Sequence, residues 1–174
     1  IYFNIYDKWK PGRVRTLFVA ESPPWAEPKY FYNTDIKAGP LRKVLFDQVH
    51  IKDYEEHGLE RFKAEGYFLI DTIKCRLRKQ NSNPPTPVIT NCARRFLLEE
   101  IHSLEPERIV LLGKTAKQGL EQFHEFEDLK RYNVKADYGK KIQTKNYTIV
   151  LYVFPITRNM NIMREQPLLE ALDG

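Results

Sequence analysis

Four short apolar runs, separated by helical patterns, constrain the fold of this chain more than any other feature. The runs are rich in β-branched and aromatic residues and lie at 14–20, 67–73, 108–113 and 147–154. Continuous apolar runs of this length are typical of strands buried on both faces of a parallel sheet. The alternation predicts an α/β protein, a three-layer αβα sandwich with a four-stranded, mainly parallel central sheet.

Helical patterns separate these runs. Their candidate positions are 40–49, 54–64, 86–101, 113–123 and 163–172. The clearest begins at Thr86, a candidate N-cap that precedes Pro87 at the first helical position and a mostly apolar helix face. No repeat, low-complexity tract or domain linker interrupts the alternation, so residues 1–174 are expected to form a single domain.

Composition and charge narrow the class of protein. A hydrophobic content of 42% over 174 residues suits a globular core. No apolar run is long enough to cross a membrane and no signal peptide is visible, which favours a soluble, cytoplasmic, monomeric protein without a membrane partner. The net charge of +5 and the basic segments 74–79 and 130–145 suit a polyanionic partner, and a solvated surface explains them equally well.

The chemistry of the predicted sheet should lie where its strands end. In open parallel sheets, ligands bind beyond the carboxyl ends of the strands. The four runs lead into Glu21, Asp71, Gly113 and Phe154. Two acids, several cations and a group of aromatics are therefore expected around one polar cleft.

Several short motifs follow one another in a recognisable order. They are AESPP at 20–24, KAGPL at 37–41, KCR at 74–76, NSNPPTP at 81–87 with Cys92 beyond it, IVLLGKTA at 109–116 and FPITRN at 154–159. This order resembles the uracil-DNA glycosylase superfamily over residues 14–165, and the iron-sulfur-containing branch is closest in layout. The resemblance implies a protein that flips a base out of single- or double-stranded DNA and hydrolyses its N-glycosidic bond, in association with the nucleoid or nucleus.

Glu21 is the candidate catalytic residue, because the resemblance places a water-activating acid at this position. Hydrolysis of an N-glycosidic bond passes through an oxocarbenium-like state, which a carboxylate stabilises and for which it orients a water molecule. Pro23 and Pro24 would hold the acid at the rim with little freedom. The alternative is an acid that caps the backbone amides of the proline turn.

The cysteines and Phe154 depart from the family pattern. An iron-sulfur cluster generally takes four thiolates, and this chain has Cys75 and Cys92 alone, so we expect no cluster, metal or other cofactor. Phe154 stands where the family has a histidine that supports negative charge on the leaving base. Imidazole assistance is therefore absent from the expected mechanism.

Asp71 is a further departure, because the uracil-reading branches have an asparagine at this position. A carboxylate only accepts hydrogen bonds, so it opposes the O4 acceptor of uracil and suits a base edge with two donors. Uracil is not expected to be the best substrate. The alternative is that Asp71 caps a turn or pairs with Lys74 or Arg76.

Other residues receive roles from their positions around the predicted cleft. Base binding is predicted for Ser22, Phe31, Tyr32, Asp71 and Phe154, with Trp25 as a second candidate for stacking. DNA binding is predicted for Lys74, Arg76, Arg78, Lys79, Lys114, Arg158, Asn159 and Met160, the last as an apolar wedge. The alternative for the aromatics is that they pack over the first helix.

Three functions fit these observations. The first is a DNA glycosylase for a damaged or modified base. The second is a catalytically inactive module of the same fold that binds DNA or a protein, and the third is an enzyme on free nucleosides or nucleotides. The GKT at 113–115 lacks the earlier glycine of a P-loop, which argues against a nucleotide triphosphatase.

Overall fold

A mostly parallel sheet lies at the centre of the fold. The computed structural model describes residues 7–25, 29–35, 37–77, 84–155, 159–165 and 167–173. Its strands are β1 (Thr16–Ala20), β2 (Tyr67–Asp71), β3 (Arg108–Leu112), β4 (Lys141–Gln143) and β5 (Thr148–Tyr152). They form one sheet in the order β2-β1-β3-β5-β4, in which the β4–β5 pair is antiparallel and the other pairs are parallel. The described residues form a mixed α/β fold with a five-stranded sheet, one strand more than predicted.

Burial on both faces explains why four strands are recognisable in the sequence. All five residues of β1 are buried, and four of five are buried in each of β2, β3 and β5. In β4, Ile142 is the single buried residue, flanked by Lys141 and Gln143. A three-residue edge strand with one buried side chain produces no apolar run, so the sequence analysis missed it.

Helices connect the strands. They are α1 (Pro40–Gln48), α2 (Glu56–Ala64), α3 (Thr86–Cys92), α4 (Leu98–Leu104), α5 (Lys114–Leu120), α6 (Met160–Glu165) and α7 (Leu168–Asp173). A π-helical turn at Ala93–Leu97 joins α3 to α4, and a 3₁₀ helix at His124–Arg131 follows α5. The N-cap of α3 is Pro85, and Thr86 is already helical, which corrects the predicted cap.

The helices cover the sheet through apolar faces. Helix α2 contacts β2, α5 contacts β1 and β3, and α7 contacts β5. The finer prediction of a three-layer sandwich stays a prediction. Within the described part of the chain, no helix is both long enough and apolar enough to cross a membrane.

Candidate active site

A cavity opens at the carboxyl ends of β1, β3 and β5. Its volume is about 760 Å³. Glu21 after β1, Gly113, Lys114 and Thr115 after β3, and Phe154 after β5 contribute to its lining. Ligand sites of about 300–1,000 Å³ hold drug-sized molecules, so this cavity has room for a nucleobase with its sugar.

Glu21 is held at this cavity by contacts from two neighbouring segments. Its backbone oxygen accepts a hydrogen bond of 3.0 Å from the amide of Ile73, just beyond β2. Its Oε2 accepts a hydrogen bond of 2.8 Å from Oγ1 of Thr115, which is buried in the first turn of α5. The side chain of Glu21 is half-buried and lines the cavity. A carboxylate oriented in this way can accept a proton from water or face a developing positive charge.

Thr115 is expected to act as a positioning residue for Glu21. The Thr115→Val variant keeps the shape and removes the donor, and hydrogen bonds to charged groups contribute about 1.5–3 kcal/mol. We expect kcat for base release to fall about ten- to hundredfold with little change in KM, because substrate binding does not use this bond.

The conservative variant Thr115→Ser supplies the control, because it restores the hydroxyl. Single-turnover and steady-state rates of both variants on the same oligonucleotide provide the comparison. Equal losses in the valine and serine variants would mean that Thr115 acts through packing instead of through its hydroxyl.

Gly113 and Phe154 shape the wall of the cavity between β3 and β5. Gly113 adopts φ 90°, a left-handed conformation that favours glycine. A Cβ at Gly113 would lie 3.1 Å from Cβ of Phe154, so a larger residue there would also need these two segments to move slightly apart. Asn159 Nδ2 donates a hydrogen bond of 2.8 Å to the backbone oxygen of Phe154. The phenyl ring of Phe154 offers no hydrogen-bond donor to a leaving base.

Comparison with known families agrees with this geometry. The protein-family model for the uracil DNA glycosylase superfamily matches residues 8–172. The chain belongs to the uracil-DNA glycosylase superfamily. The resemblance inferred from the motifs is therefore confirmed, and membership supports a DNA glycosylase-like function and DNA binding in general. A search of curated proteins finds no match to the chain.

Asp71 is buried at the carboxyl end of β2. It is 3% exposed at the end of β2, where it pairs in register with Ala20 of β1. Burial, above all, raises the pKa of Tyr32, and the negative charge of Asp71 adds to this rise. Asp71 is not one of the described residues that line the cavity. Its role as base reader stays a prediction.

Phe31 and Tyr32, in the segment between β1 and α1, pack into the core. Phe31 is 4% exposed and Tyr32 is 2% exposed. The ring of Phe31 contacts those of Phe46 and Phe62 at centroid distances of 5.9 and 5.5 Å. The hydroxyl of Tyr32 donates to the oxygen of Leu69 at 3.0 Å and accepts from its amide at 2.7 Å. Both rings are buried in this structure, and their predicted roles in base binding stay predictions.

The predicted DNA-binding cations have different surroundings. Lys74 forms an ion pair with Glu100 and is little exposed, and its predicted contact with a phosphate stays a prediction. Burial raises the pKa of Glu100, and Lys74 opposes this shift. Arg76 is half-buried and engaged in interactions, whereas Lys114 is exposed at the cavity. Lys114 therefore fits the predicted role best.

The remaining predicted contacts fall into two groups. Ser22 is half-buried beside Glu21, and Met160 is partly buried against the core at the start of α6. Arg78, Lys79 and Arg158 lie outside the described residues. The proposed wedge of Arg158 and Met160 therefore stays a prediction.

Cys75 and Cys92 come together although 16 residues separate them in the sequence. Both are free cysteines. Burial, above all, raises the pKa of the Cys75 thiol, and the thiol of Cys92 contributes to this rise. The described residues contain no group of three or more metal-ligating side chains, and two thiols do not fit a four-thiolate cluster. The absence of a cofactor stays a prediction.

One wall of the cavity was not predicted from the sequence. Residues 132–135, which follow the 3₁₀ helix, line it together with Lys117 and Glu121 of the α5 region. Lys117 and Glu121 form an ion pair with each other. The only signal for this wall is the basic segment 130–145, which indicates a polyanionic partner without placing it at the cavity.

Proposed function

We propose that the protein is a DNA glycosylase that releases a damaged or modified base other than uracil. The supporting observation is the carboxylate of Glu21, held by the Thr115 hydroxyl, at a cavity with room for a nucleoside. In this reaction the oxygen of water bonds to C1′ of the sugar, and the base departs with the electrons of the glycosidic bond. Glu21 accepts the proton of the water, and its charge stabilises the oxocarbenium-like sugar.

Phe154 restricts which bases can leave from such a site. Phe154 lines the cavity, and its side chain offers no hydrogen bond to a base that leaves as an anion. A base that already carries a positive charge, such as a ring-alkylated purine, leaves as a neutral molecule and needs no such donor. The face of an aromatic ring also attracts a cation. Ring-alkylated, cationic bases are therefore the first substrates to test.

A strand-cleavage panel tests this proposal. Labelled single- and double-stranded oligonucleotides would each carry one alkylated purine, hypoxanthine, xanthine, modified cytosine or uracil. After incubation with the wild-type protein, alkali breaks the strand at each abasic site. We expect cleavage at a cationic or otherwise modified base to be faster than at uracil. Cleavage of uracil above all others would contradict the substrate class.

Phe154 also favours a second candidate function, a module that binds DNA without chemistry. The loss of the family's histidine removes a group that assists catalysis and leaves a hydrophobic wall suited to holding a base. Under this alternative, every oligonucleotide of the panel stays intact while binding to DNA weakens steeply with salt. Intact oligonucleotides would overturn the proposed catalysis, and salt-sensitive binding would then support the module.

Asp71 provides a prediction about base selectivity. The Asp71→Asn variant replaces a group that only accepts by one that also donates, which matches the O4 of uracil. If Asp71 reads the base, the ratio of uracil release to release of the preferred base should rise about tenfold or more, because an unmet buried polar group costs about 1–3 kcal/mol. The measurement is kcat/KM on both substrates.

The melting temperature of the Asp71→Asn variant distinguishes a base-reading role of Asp71 from a structural role. Asp128→Asn, at an exposed aspartate of the 3₁₀ helix, controls for the loss of one negative charge. A lower melting temperature with an unchanged substrate ratio would show that Asp71 supports the end of β2 and does not read the base.

A further inference from the structure

Trp25 is the exposed aromatic side chain at the end of the sheet that carries the cavity. It is 57% exposed, and no other large hydrophobic side chain in the described residues is exposed. The other tryptophan of the chain, Trp9, is 3% exposed in the core. Exposed tryptophan leaves a large apolar ring face in water, which contact with a planar partner would cover.

The position of Trp25 relative to Glu21 is limited by the chain that joins them. Four peptide units span at most about 14 Å, so the Cα of Trp25 lies within that distance of the Cα of Glu21. Successive nucleotides of one DNA strand are about 3.4 Å apart along a duplex. The side chains extend this reach, and unpaired nucleotides are spaced more widely than those of a duplex, so a base that contacts Trp25 would lie within a few nucleotides of a base held beside Glu21.

The intervening prolines limit the freedom of this position. Pro23 is buried and Pro24 is half-buried, and their rings fix two of the four φ angles between Glu21 and Trp25. A ring that is already presented to solvent by a restrained backbone loses little freedom on binding. Tyr30, Phe31 and Tyr32, by contrast, are buried.

We propose that Trp25 stacks on an unpaired base that flanks the target nucleotide in single-stranded DNA. Base stacking on an aromatic ring tolerates any sequence, since every base has a π face, and the exposed Lys114 at the cavity suits the adjacent phosphates. This inference rests on the proposed function for the location of the target base beside Glu21. The flanking contact itself involves no chemistry.

Intrinsic fluorescence tests the contact directly, because the chain has two tryptophans and one is buried. Single-stranded oligonucleotides would be titrated into the wild-type protein, Trp25→Phe, Trp25→Ala and the control Trp9→Phe. We expect quenching in the wild-type protein and in Trp9→Phe, and none in the Trp25 variants. The alanine variant should bind about tenfold more weakly or worse, and the phenylalanine variant should retain most of the affinity.

An abasic scan locates the contacted base. One abasic site would be moved through the four nucleotides on either side of the target, and loss of quenching at one position would identify the stacked base. Quenching that survives at every position, or alanine-variant affinity equal to that of the wild type, would overturn the inference. Quenching of Trp25 fluorescence by a protein partner and not by DNA would also overturn the inference.

Failure of this inference is distinguishable from failure of the proposed function. Strand cleavage without fluorescence quenching would leave the glycosylase proposal intact and remove the stacking role. Quenching that depends on one flanking base, in the absence of cleavage at any modified base, would retain Trp25 as a stacking residue and remove the catalysis.

Discussion

The Glu21→Gln variant is expected to release its best base about 10²- to 10⁴-fold more slowly than the wild-type protein, the range that a positioned acid or base contributes. Glutamine keeps the size of the side chain, and its oxygen can still accept the hydrogen bond from Thr115. It carries no charge and does not accept a proton from water. The measurement is the single-turnover rate on the preferred oligonucleotide with the protein in excess.

The Glu21→Gln substitution is not expected to weaken the affinity for DNA. Removal of a negative charge from the rim of a DNA-binding cavity reduces repulsion of the phosphates, so Glu21→Gln should bind DNA as tightly as the wild type or more tightly. A loss of rate together with retained affinity separates a catalytic role from a damaged binding surface.

Glu121→Gln is the matched control for this change. Glu121 lines the same cavity, and the glutamine oxygen can still accept the hydrogen bond that Lys117 donates. The rate should therefore fall far less than in Glu21→Gln, because the hydrogen bond from the buried Lys117 is kept and Glu121 has no proposed part in the reaction. If both variants lost the same activity, the cavity would need its acidic charge in general, and if neither did, Glu21 would not be catalytic.

The location of Glu21 could be predicted because it follows from the order of the strands. β1 is apolar throughout, so its end is visible in the sequence, and the carboxyl ends of parallel strands share one edge of the sheet. The partner Thr115 was not predictable, since 94 residues separate the two side chains along the chain. A hydrogen bond over such a separation depends on the register of β1 against β3.

The exposure of the aromatic residues after β1, by contrast, could not be predicted from the sequence. In the sequence, Phe31, Tyr32 and Trp25 are alike, since each is an aromatic residue in a proline-containing loop. In the structure, Phe31 and Tyr32 are buried and Trp25 is exposed. Local sequence does not distinguish them, because their exposure depends on whether α1 and α2 provide a surface on which the ring can pack.

The burial of Phe31 depends on a residue that the sequence analysis did not single out. Arg42 of α1 is 1% exposed, and its Nη1 donates hydrogen bonds to the backbone oxygens of Phe31 at 3.0 Å and Asn33 at 2.8 Å. Its Nη2 lies 3.5 Å from Oε2 of Glu55. Burial lowers the pKa of Arg42, and Glu55 opposes that shift. The guanidinium thereby fixes the loop after β1 to α1.

Replacing Arg42 by alanine should lower the free energy of unfolding by about 3 kcal/mol, because two carbonyl oxygens lose a charged donor and a buried side chain leaves a cavity. For a chain of this size, that loss lowers the melting temperature by about 6–12 °C. The melting temperature of Arg42→Lys should lie between those of the wild-type protein and Arg42→Ala, since a single ammonium does not reproduce the paired donors of the guanidinium group. Denaturant and thermal unfolding of the three proteins provide the measurement.

Lys43→Ala is the neighbouring control, because Lys43 is an exposed residue of the same helix. Surface substitutions of this kind usually change stability by less than about 0.5 kcal/mol. Equal stability of the Lys43 and Arg42 alanine variants would mean that the guanidinium does not fix the loop. A large loss for Arg42→Ala alone, accompanied by greater exposure of Phe31 to proteolysis or hydrogen exchange, would show that one buried cation holds residues 31–33 against α1.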